Sequence, residues 1–344
     1  MDVYSTDTDS GLLTVIRNQN GKFERVAQIR VGNAPRGSVK FTPDGRGFVS
    51  NTSTNTVSEI DALTHKEVGR IEVGSGPRGL HLVGNNKYLL VSNSGSDTIS
   101  VVDLNERREV LELEVGRDPR HMIVAGGNAY VCLWGEGALA KIDVSGLDAG
   151  DIDSVKLLKK ITIGEDTFPY SLNVDKTRNI ALVACNTPRF VPVVDLDKDE
   201  VVENVSLRAS GARAVAFTND SKHALVTLER DNSMAVINLD SLEVTKYIKV
   251  GPGPRGVTVD ETDIAFVALF ARPPFFEYNS IEDFASHAVT IVRLSGANLD
   301  DPTAEIPLES VRVGFGPCSV STFDPTKVER RLHEDSKDDK LVLA

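Results

Sequence analysis

The chain has 344 residues, of which 40% are hydrophobic, and its net charge is -12 at pH 7. The apolar content is sufficient for a sizeable core. The acidic balance argues against a nucleic-acid backbone or an anionic membrane as the main partner. Neither a signal peptide nor a membrane-spanning run is expected, and three widely separated cysteines predict reduced thiols in a cytoplasmic protein.

The chain begins with three strand-like segments at residues 3–6, 12–16 and 25–31. The first complete unit follows, with strands predicted at residues 38–42, 47–51, 56–60 and 67–73. Within it, Pro43-Asp44-Gly45 is a turn signal, and residues 56–60 alternate with the period of two that half-buried strands show. The next unit repeats this order of strands, and helical periodicity is confined to the tail.

A junction motif, Val-Gly-x-x-Pro-Arg-Gly, separates these units. Copies or altered copies lie at residues 31–37, 73–79, 115–121, 163–171, 210–214, 250–256 and 313–319. The distances between successive junction glycines are 42, 42, 48, 47, 40 and 63 residues. A period of about 40–45 residues made of strands and turns is typical of four-stranded propeller blades.

The chain ends supply one further blade between them. The N-terminal segments correspond to strands B, C and D, and residues 319–325 supply a strand A. We therefore predict an all-β, seven-bladed β-propeller of four-stranded blades, with the last blade closed by the N-terminal strands plus a C-terminal strand. Residues 1–326 form this domain, and residues 327–344 form a charged tail.

Two segments resemble a known repeat. Val49-Ser50-Asn51 with residues 55–61, and Val91-Ser92-Asn93 with residues 97–103, resemble the YVTN-type seven-bladed propeller repeat. The resemblance extends to lactonase and lyase propellers, and it implies the fold more strongly than any one activity. A metal-dependent lyase is one implied activity, but its histidine and carboxylate pattern is not matched here. We predict no cofactor and no metal.

The residue after the junction proline should lie at the mouth of the central channel. Tyr170 and Cys318 take this position in two blades. The other five blades have an arginine there: Arg36, Arg78, Arg120, Arg213 and Arg255. Guanidinium groups converging on one axis suit a carboxylate, phosphate or enolate. In the alternative interpretation, acids on loops of the same face neutralise the arginines: Asp7, Asp118, Glu165, Asp166 and Glu229.

The ends of the B strands should form a second ring, which is leucine in three blades. Trp134 and Phe270 follow two of these leucines, so an aromatic or polyketide-like body would suit the apolar half; ordinary variation of the core is the alternative. Blade six carries an insertion at residues 271–287, including Phe275, Phe276 and Tyr278. This insertion is predicted to be a lid, or alternatively a packing patch for a second copy in a homo-oligomer.

Proton-transfer groups are the remaining requirement for an enzyme. The candidates are His81, His121, His287, Tyr170 and Glu229. Together these features predict a cofactor-independent enzyme acting on a small anionic organic molecule, by lactone opening, elimination, isomerisation or cyclisation. The alternative is a non-catalytic propeller that binds a protein or peptide on the same face.

Overall fold

The computed structural model describes residues 1–270 and 287–328. These residues form seven antiparallel sheets of four strands each, so the predicted seven-bladed β-propeller is confirmed. Two short 3-10 helices, Ser145–Ala149 and Ile152–Ser154, lie in the loop between the third and fourth strands of blade 3. The chain's described end is a single helical turn at residues 325–328.

The strands are numbered in chain order, and blades 1 to 6 each take four consecutive strands. Blade 7 consists of β28(Pro317–Phe323), β1(Asp2–Asp7), β2(Leu12–Gln19) and β3(Lys22–Arg30). Blades 1 to 3 are β4(Pro35–Phe41), β5(Arg46–Asn51), β6(Thr56–Asp61), β7(Lys66–Glu72); β8(Pro77–Val83), β9(Tyr88–Asn93), β10(Thr98–Asp103), β11(Arg108–Glu114); and β12(Pro119–Ala125), β13(Asn128–Leu133), β14(Ala138–Asp143), β15(Lys156–Thr162). Blades 4 to 6 are β16(Pro169–Asp175), β17(Ile180–Cys185), β18(Phe190–Asp195), β19(Glu200–Ser206); β20(Ala212–Phe217), β21(His223–Leu228), β22(Ser233–Asn238), β23(Glu243–Lys249); and β24(Pro254–Val259), β25(Ile264–Leu269), β26(Ala288–Arg293), β27(Leu308–Arg312).

Each innermost strand begins at the junction proline or its equivalent, two or three residues earlier than the sequence suggests. In blade 2, Pro77 faces Asn93, but Leu80 faces Val91, so the intervening residues form a bulge. The pairing shifts at the same place in every blade, and in blade 1 by one residue more than elsewhere. Because a bulge changes the direction of the side chain it carries, the motif arginines leave the regular alternation of the strand.

Hydrogen bonds between neighbouring blades fix the backbone of these arginines. Ser50 Oγ donates to the carbonyl of Arg78 at 2.6 Å, and Ser92 repeats the contact with Arg120 one blade later. A Cβ atom on Gly79 would lie 2.4 Å from the Arg120 carbonyl oxygen. In blades 1, 2 and 6, which have a glycine here, a larger residue would therefore require the next blade to shift.

The second ring, formed by the last residues of the B strands, lies beneath the surface. These residues are at most 2% exposed: Asp7, Asn51, Asn93, Leu133, Cys185, Leu228 and Leu269. Asn51 binds Thr56 and Ser58 through Nδ2, and a Cβ atom on Gly32 would lie 2.5 Å from its Cγ. The residues pack under the junctions instead of facing the mouth, so the expectation that they supply an apolar half of the site was wrong.

Blade 7 closes the ring as predicted. Strand β28 pairs with β1 from Asp2 opposite Phe323 to Asp7 opposite Pro317. Phe323 packs on Phe41 of blade 1 with ring centroids 4.7 Å apart, and Phe41 packs on Tyr4 at 4.8 Å. The chain ends are thus held together by a sheet and by an aromatic cluster, and β28 covers the edge that β1 would otherwise expose.

The insertion of blade 6 and the charged tail fall largely outside the described residues, so their predicted boundaries and the lid remain predictions. Within residues 1–270 and 287–328, no helix has the length and apolarity needed to cross a membrane.

Candidate functional site

A cavity of about 300 Å³ lies on the propeller axis and is lined by the innermost strands of all seven blades. Four of the five motif arginines line it: Arg36, Arg78, Arg120 and Arg213. Arg255 is not among the lining residues, but it shares a carboxylate with Arg213. The structure therefore brings the five arginines into one cluster, which we call the arginine collar.

Two acids neutralise part of the collar. Asp118 accepts two hydrogen bonds from Arg120, at 3.0 Å from Nε and 2.7 Å from Nη2. Glu229 lies between two arginines and accepts from Arg213 Nε at 2.5 Å and from Arg255 Nε at 2.8 Å. Burial would raise the pKa of Glu229, but the charges of Arg255 and Arg213 outweigh this effect and lower it. Glu229 is therefore an ionised partner near neutral pH, which makes it a poor proton donor.

Aromatic rings hold the same three guanidinium groups in place. Arg120 lies 3.9 Å from the centre of the Trp134 ring, and Arg255 lies 3.5 Å from the centre of the Phe270 ring. Arg213 lies 4.8 Å from the Tyr170 ring. These are cation–π contacts, and Trp134 and Phe270 support arginines instead of lining the cavity.

Arg36 and Arg78 differ from the other three arginines. Neither has an acidic partner in the described part of the chain, and buried Nε of Arg36 and buried Nε and Nη1 of Arg78 have no hydrogen-bond partner there. Burial and the charges of Arg120 and Arg36 lower the pKa of Arg78. An unpaired buried donor is costly, so these N–H groups favour the binding of a hydrogen-bond acceptor.

Three basic groups have pKa values lowered by burial: His121 and Lys40, which line the cavity, and His81, which is not among the lining residues. Burial, followed by the charge of Lys40, lowers the pKa of His81 to about 4 and that of His121 to about 3. Burial also lowers the pKa of Lys40. His81 donates through Nδ1 to the Leu82 carbonyl at 2.9 Å, which leaves Nε2 as an acceptor. Buried Nδ1 of His121 has no partner among the described residues, so each histidine has a ring nitrogen available as a hydrogen-bond acceptor.

The remaining candidates lie in different places. Tyr170 lines the cavity beside the collar. His287 lies away from it, 7% exposed at the start of β26, with its ring 4.9 Å from Phe315 and its Nδ1 accepting from Gly316 N at 3.4 Å. Phe275, Phe276 and Tyr278 lie outside the described residues.

The sequence interpretation missed two residues as site residues. Lys40 and Cys318 both line the cavity. Cys318 was visible as the blade 7 member of the ring, whereas Lys40 gave no signal because it lies four residues after the motif arginine of blade 1. Among the described residues, no group of three His, Cys, Asp or Glu side chains could hold a metal ion.

Comparisons with known proteins give the fold and no family. No protein-family profile and no curated protein matches the chain. Hydrazine synthase from Kuenenia stuttgartiensis is similar in structure with a TM-score of 0.66 and 20% identity, over 83% of this chain and 88% of that one. A protein of unknown function from Desulfotomaculum acetoxidans has a TM-score of 0.67 and 11% identity, over 89% and 98%.

A third similar structure comes from Bacteroides uniformis, and its assignment as a 6-phosphogluconolactonase is provisional. It has a TM-score of 0.71 and 13% identity, over 93% of this chain and 98% of that one. At these identities the likeness shows the propeller fold alone. The YVTN-type assignment of the repeat therefore stays a prediction.

Proposed function

We propose that this chain is an enzyme that acts, without a cofactor, on a small organic anion bound in the channel cavity. One observation carries the proposal: Arg36 and Arg78 line the cavity, and both carry buried N–H groups that have no hydrogen-bond partner among the described residues. The arginine collar has five guanidinium groups, and two carboxylates neutralise them among the described residues. Because this excess charge is buried, a bound anion would stabilise the site.

The cavity suits a carboxylate better than a neutral ligand. A guanidinium group presents its donors in a planar fork that matches the two oxygens of a carboxylate. Arg120, Arg213 and Arg255 are already held by acids and rings, so they keep the collar rigid while the other two bind. A volume of about 300 Å³ is at the small end of ligand pockets and fits a molecule of metabolite size.

The groups around the cavity support proton transfer with stabilisation of negative charge. His81 and His121 are neutral near pH 7. An anion bound beside His121 would raise its lowered pKa and so favour proton uptake, and His81 would act through its effect on His121. The guanidinium groups of Arg36 and Arg78 would stabilise the charge that develops as the proton leaves. Lactone opening, elimination, isomerisation and cyclisation all require a proton transfer and stabilisation of the negative charge that develops. The provisional lactonase among the similar structures supports testing anionic lactones first.

Thermal denaturation with a panel of small carboxylates and lactone carboxylates tests the proposal. At least one member should raise the unfolding temperature of the wild type, because a ligand that binds only the folded state stabilises it. Arg78→Ala should lose the shift. Arg70→Ala is the matched control, since Arg70 pairs with Glu67 on an outer strand.

Turnover is then measured with each stabilising compound, following ring opening or proton release. Loss of turnover in the His81→Gln and His121→Gln variants, with the thermal shift retained, would support the assigned roles. A panel that shifts neither the wild type nor Arg78→Ala would contradict the anion site, and a protein or peptide-binding propeller would then be the better account. Binding without turnover would contradict the enzyme.

A further inference from the structure

Cys318 occupies the position that an arginine takes in five other blades. It follows the junction proline of β28, at the shift in register between Pro317 and Ser319. The side chain is 6% exposed, and it lines the channel cavity with Arg36 and Arg78. The same bulge that turns the arginines therefore brings one thiol into the arginine collar.

The surroundings of this thiol favour its ionised form. Burial would raise the pKa of Cys318, but the positive charges of Arg255 and Arg36, a hydrogen bond from Arg255 and the charge of Arg78 outweigh burial and lower it. A guanidinium group has five N–H donors, so Arg255 can bind both Glu229 and the thiol. Thiolates next to arginine are the reactive form of cysteine.

The other two cysteines provide an internal contrast. Cys132 and Cys185 are both fully buried in the cores between blades. Burial raises the pKa of Cys185 to about 12 and that of Cys132 well above its ordinary value. Neither lines the cavity, so the thiol of blade 7 alone among the three combines access to the channel with a lowered pKa.

Unsatisfied polar groups in the same cavity point to a ligand. Ser321 lies three residues further along β28 and also lines the cavity. It is 7% exposed, and its Oγ has no hydrogen-bond partner among the described residues. Together with the unpaired N–H groups of Arg36 and Arg78, it gives the cavity three lining residues with unsatisfied donors, which a carboxylate bound in the cavity would satisfy in part.

We infer that Cys318 is a nucleophile of the channel cavity, and that it attacks small carboxylates which also carry an electrophilic carbon. This inference rests on the proposed anion site, because Arg36 and Arg78 must hold the carboxylate. With an α,β-unsaturated carboxylate, Sγ bonds to the β-carbon and the π electrons of the double bond move to the α-carbon. A proton from water then completes the thioether, and no oxidant or reductant is needed.

Timed alkylation of the folded full-length protein near pH 7 tests the inference. The probes are iodoacetate, which is an anion, and iodoacetamide, which is neutral and of nearly equal size. In both reactions Sγ bonds to carbon and iodide leaves. Peptide mass spectrometry then gives the rate at each cysteine, and the two buried cysteines serve as controls in the same sample.

Cys318 should react about tenfold faster with iodoacetate than with iodoacetamide, because the collar attracts the anion. Cys132 and Cys185 should stay unlabelled until the protein is unfolded. Arg78→Ala should bring the ratio of the two rates close to one, whereas Arg70→Ala should leave it unchanged. If Arg78→Ala fails to fold, Arg36→Ala provides the same test.

Two results would overturn the inference, and they differ in what they say about the proposed function. If Cys318 stays as unreactive as Cys132 while carboxylates still stabilise the wild type, the nucleophile is wrong and the anion site stands. If Cys318 reacts equally fast with both probes, in the wild type and in Arg78→Ala, the collar does not select anions. That second result would contradict the proposed function as well.

Discussion

Replacing Glu229 with glutamine should weaken the fold and strengthen anion binding at the same time. Glu229 is the shared counter-charge of Arg213 and Arg255, with a side chain that is 20% exposed between two arginines at 13% and 14%. The amide has almost the same shape but no negative charge. The variant therefore leaves two largely buried guanidinium groups without a carboxylate while the packing is preserved.

The sizes of both effects follow from the geometry. Removing one partner of a buried ion pair costs about 3–5 kcal/mol, and the partial exposure of Glu229 lowers this to about 2–3 kcal/mol of unfolding free energy. The same lost charge no longer repels a bound anion. At an effective dielectric constant of about 20 and a separation of about 10 Å, this is worth roughly tenfold in affinity.

Urea unfolding of the wild type and Glu229→Gln measures the first effect, and carboxylate titration measures the second. Glu106→Gln is the control, because its pair with Arg108 is exposed and contributes little. The arginines hold the pKa of Glu229 below its ordinary value of 4.5, so its stabilisation is lost as the pH falls through that lowered pKa. A variant as stable as the wild type, or one that binds carboxylates more weakly, would refute the reasoning.

Two further predictions concern the channel and the blade contacts. Lowering the pH from 7 to 5 should cost about 3–4 kcal/mol through His81 and His121, because their folded pKa values of about 4 and 3 lie below the unfolded value and the unfolded chain binds more protons. Asp7 acts in the opposite direction, because burial raises its pKa to about 6. The test is therefore urea unfolding of the wild type and of the His81→Gln/His121→Gln double variant at both pH values. The double variant should lose less stability than the wild type, and an equal loss would contradict the assignment of the effect to the two histidines. Gly79→Ala should destabilise the fold by about 2 kcal/mol, because its Cβ would collide with the neighbouring blade, and an unchanged midpoint of thermal unfolding would show that the blades tolerate the displacement.

The propeller could be predicted because short sequence motifs mark each element of the repeat. The Val-Gly-x-x-Pro-Arg-Gly junction, the turn at Pro43-Asp44-Gly45 and the alternation of residues 56–60 each mark one element, and their period gives the number of blades. The closure of blade 7 followed from which strands were missing at the two ends. The strand boundaries were less accurate, since the bulge that includes Arg78 depends on pairing with β9.

The charge balance of the site could not be predicted in the same way. The sequence offered five acids for the collar, but only a folded chain shows that Asp118 and Glu229 pair with the arginines while Asp7 binds Ser5 and Thr14. The burial of the second ring also could not be predicted. Asn51 and its equivalents lie one strand away from the channel and are covered by the junctions. Lys40 entered the cavity through the extra residue in the bulge of blade 1.

Calorimetric titration of the wild type and an Arg36→Ala/Arg78→Ala double variant, with the carboxylate that stabilises the wild type most, tests the central claim most directly. The account predicts one equivalent of ligand bound by the wild type, with an affinity that falls as salt is added, and no measurable heat of binding for the double variant. Equal binding to both proteins would contradict the claim that Arg36 and Arg78 form an anion site.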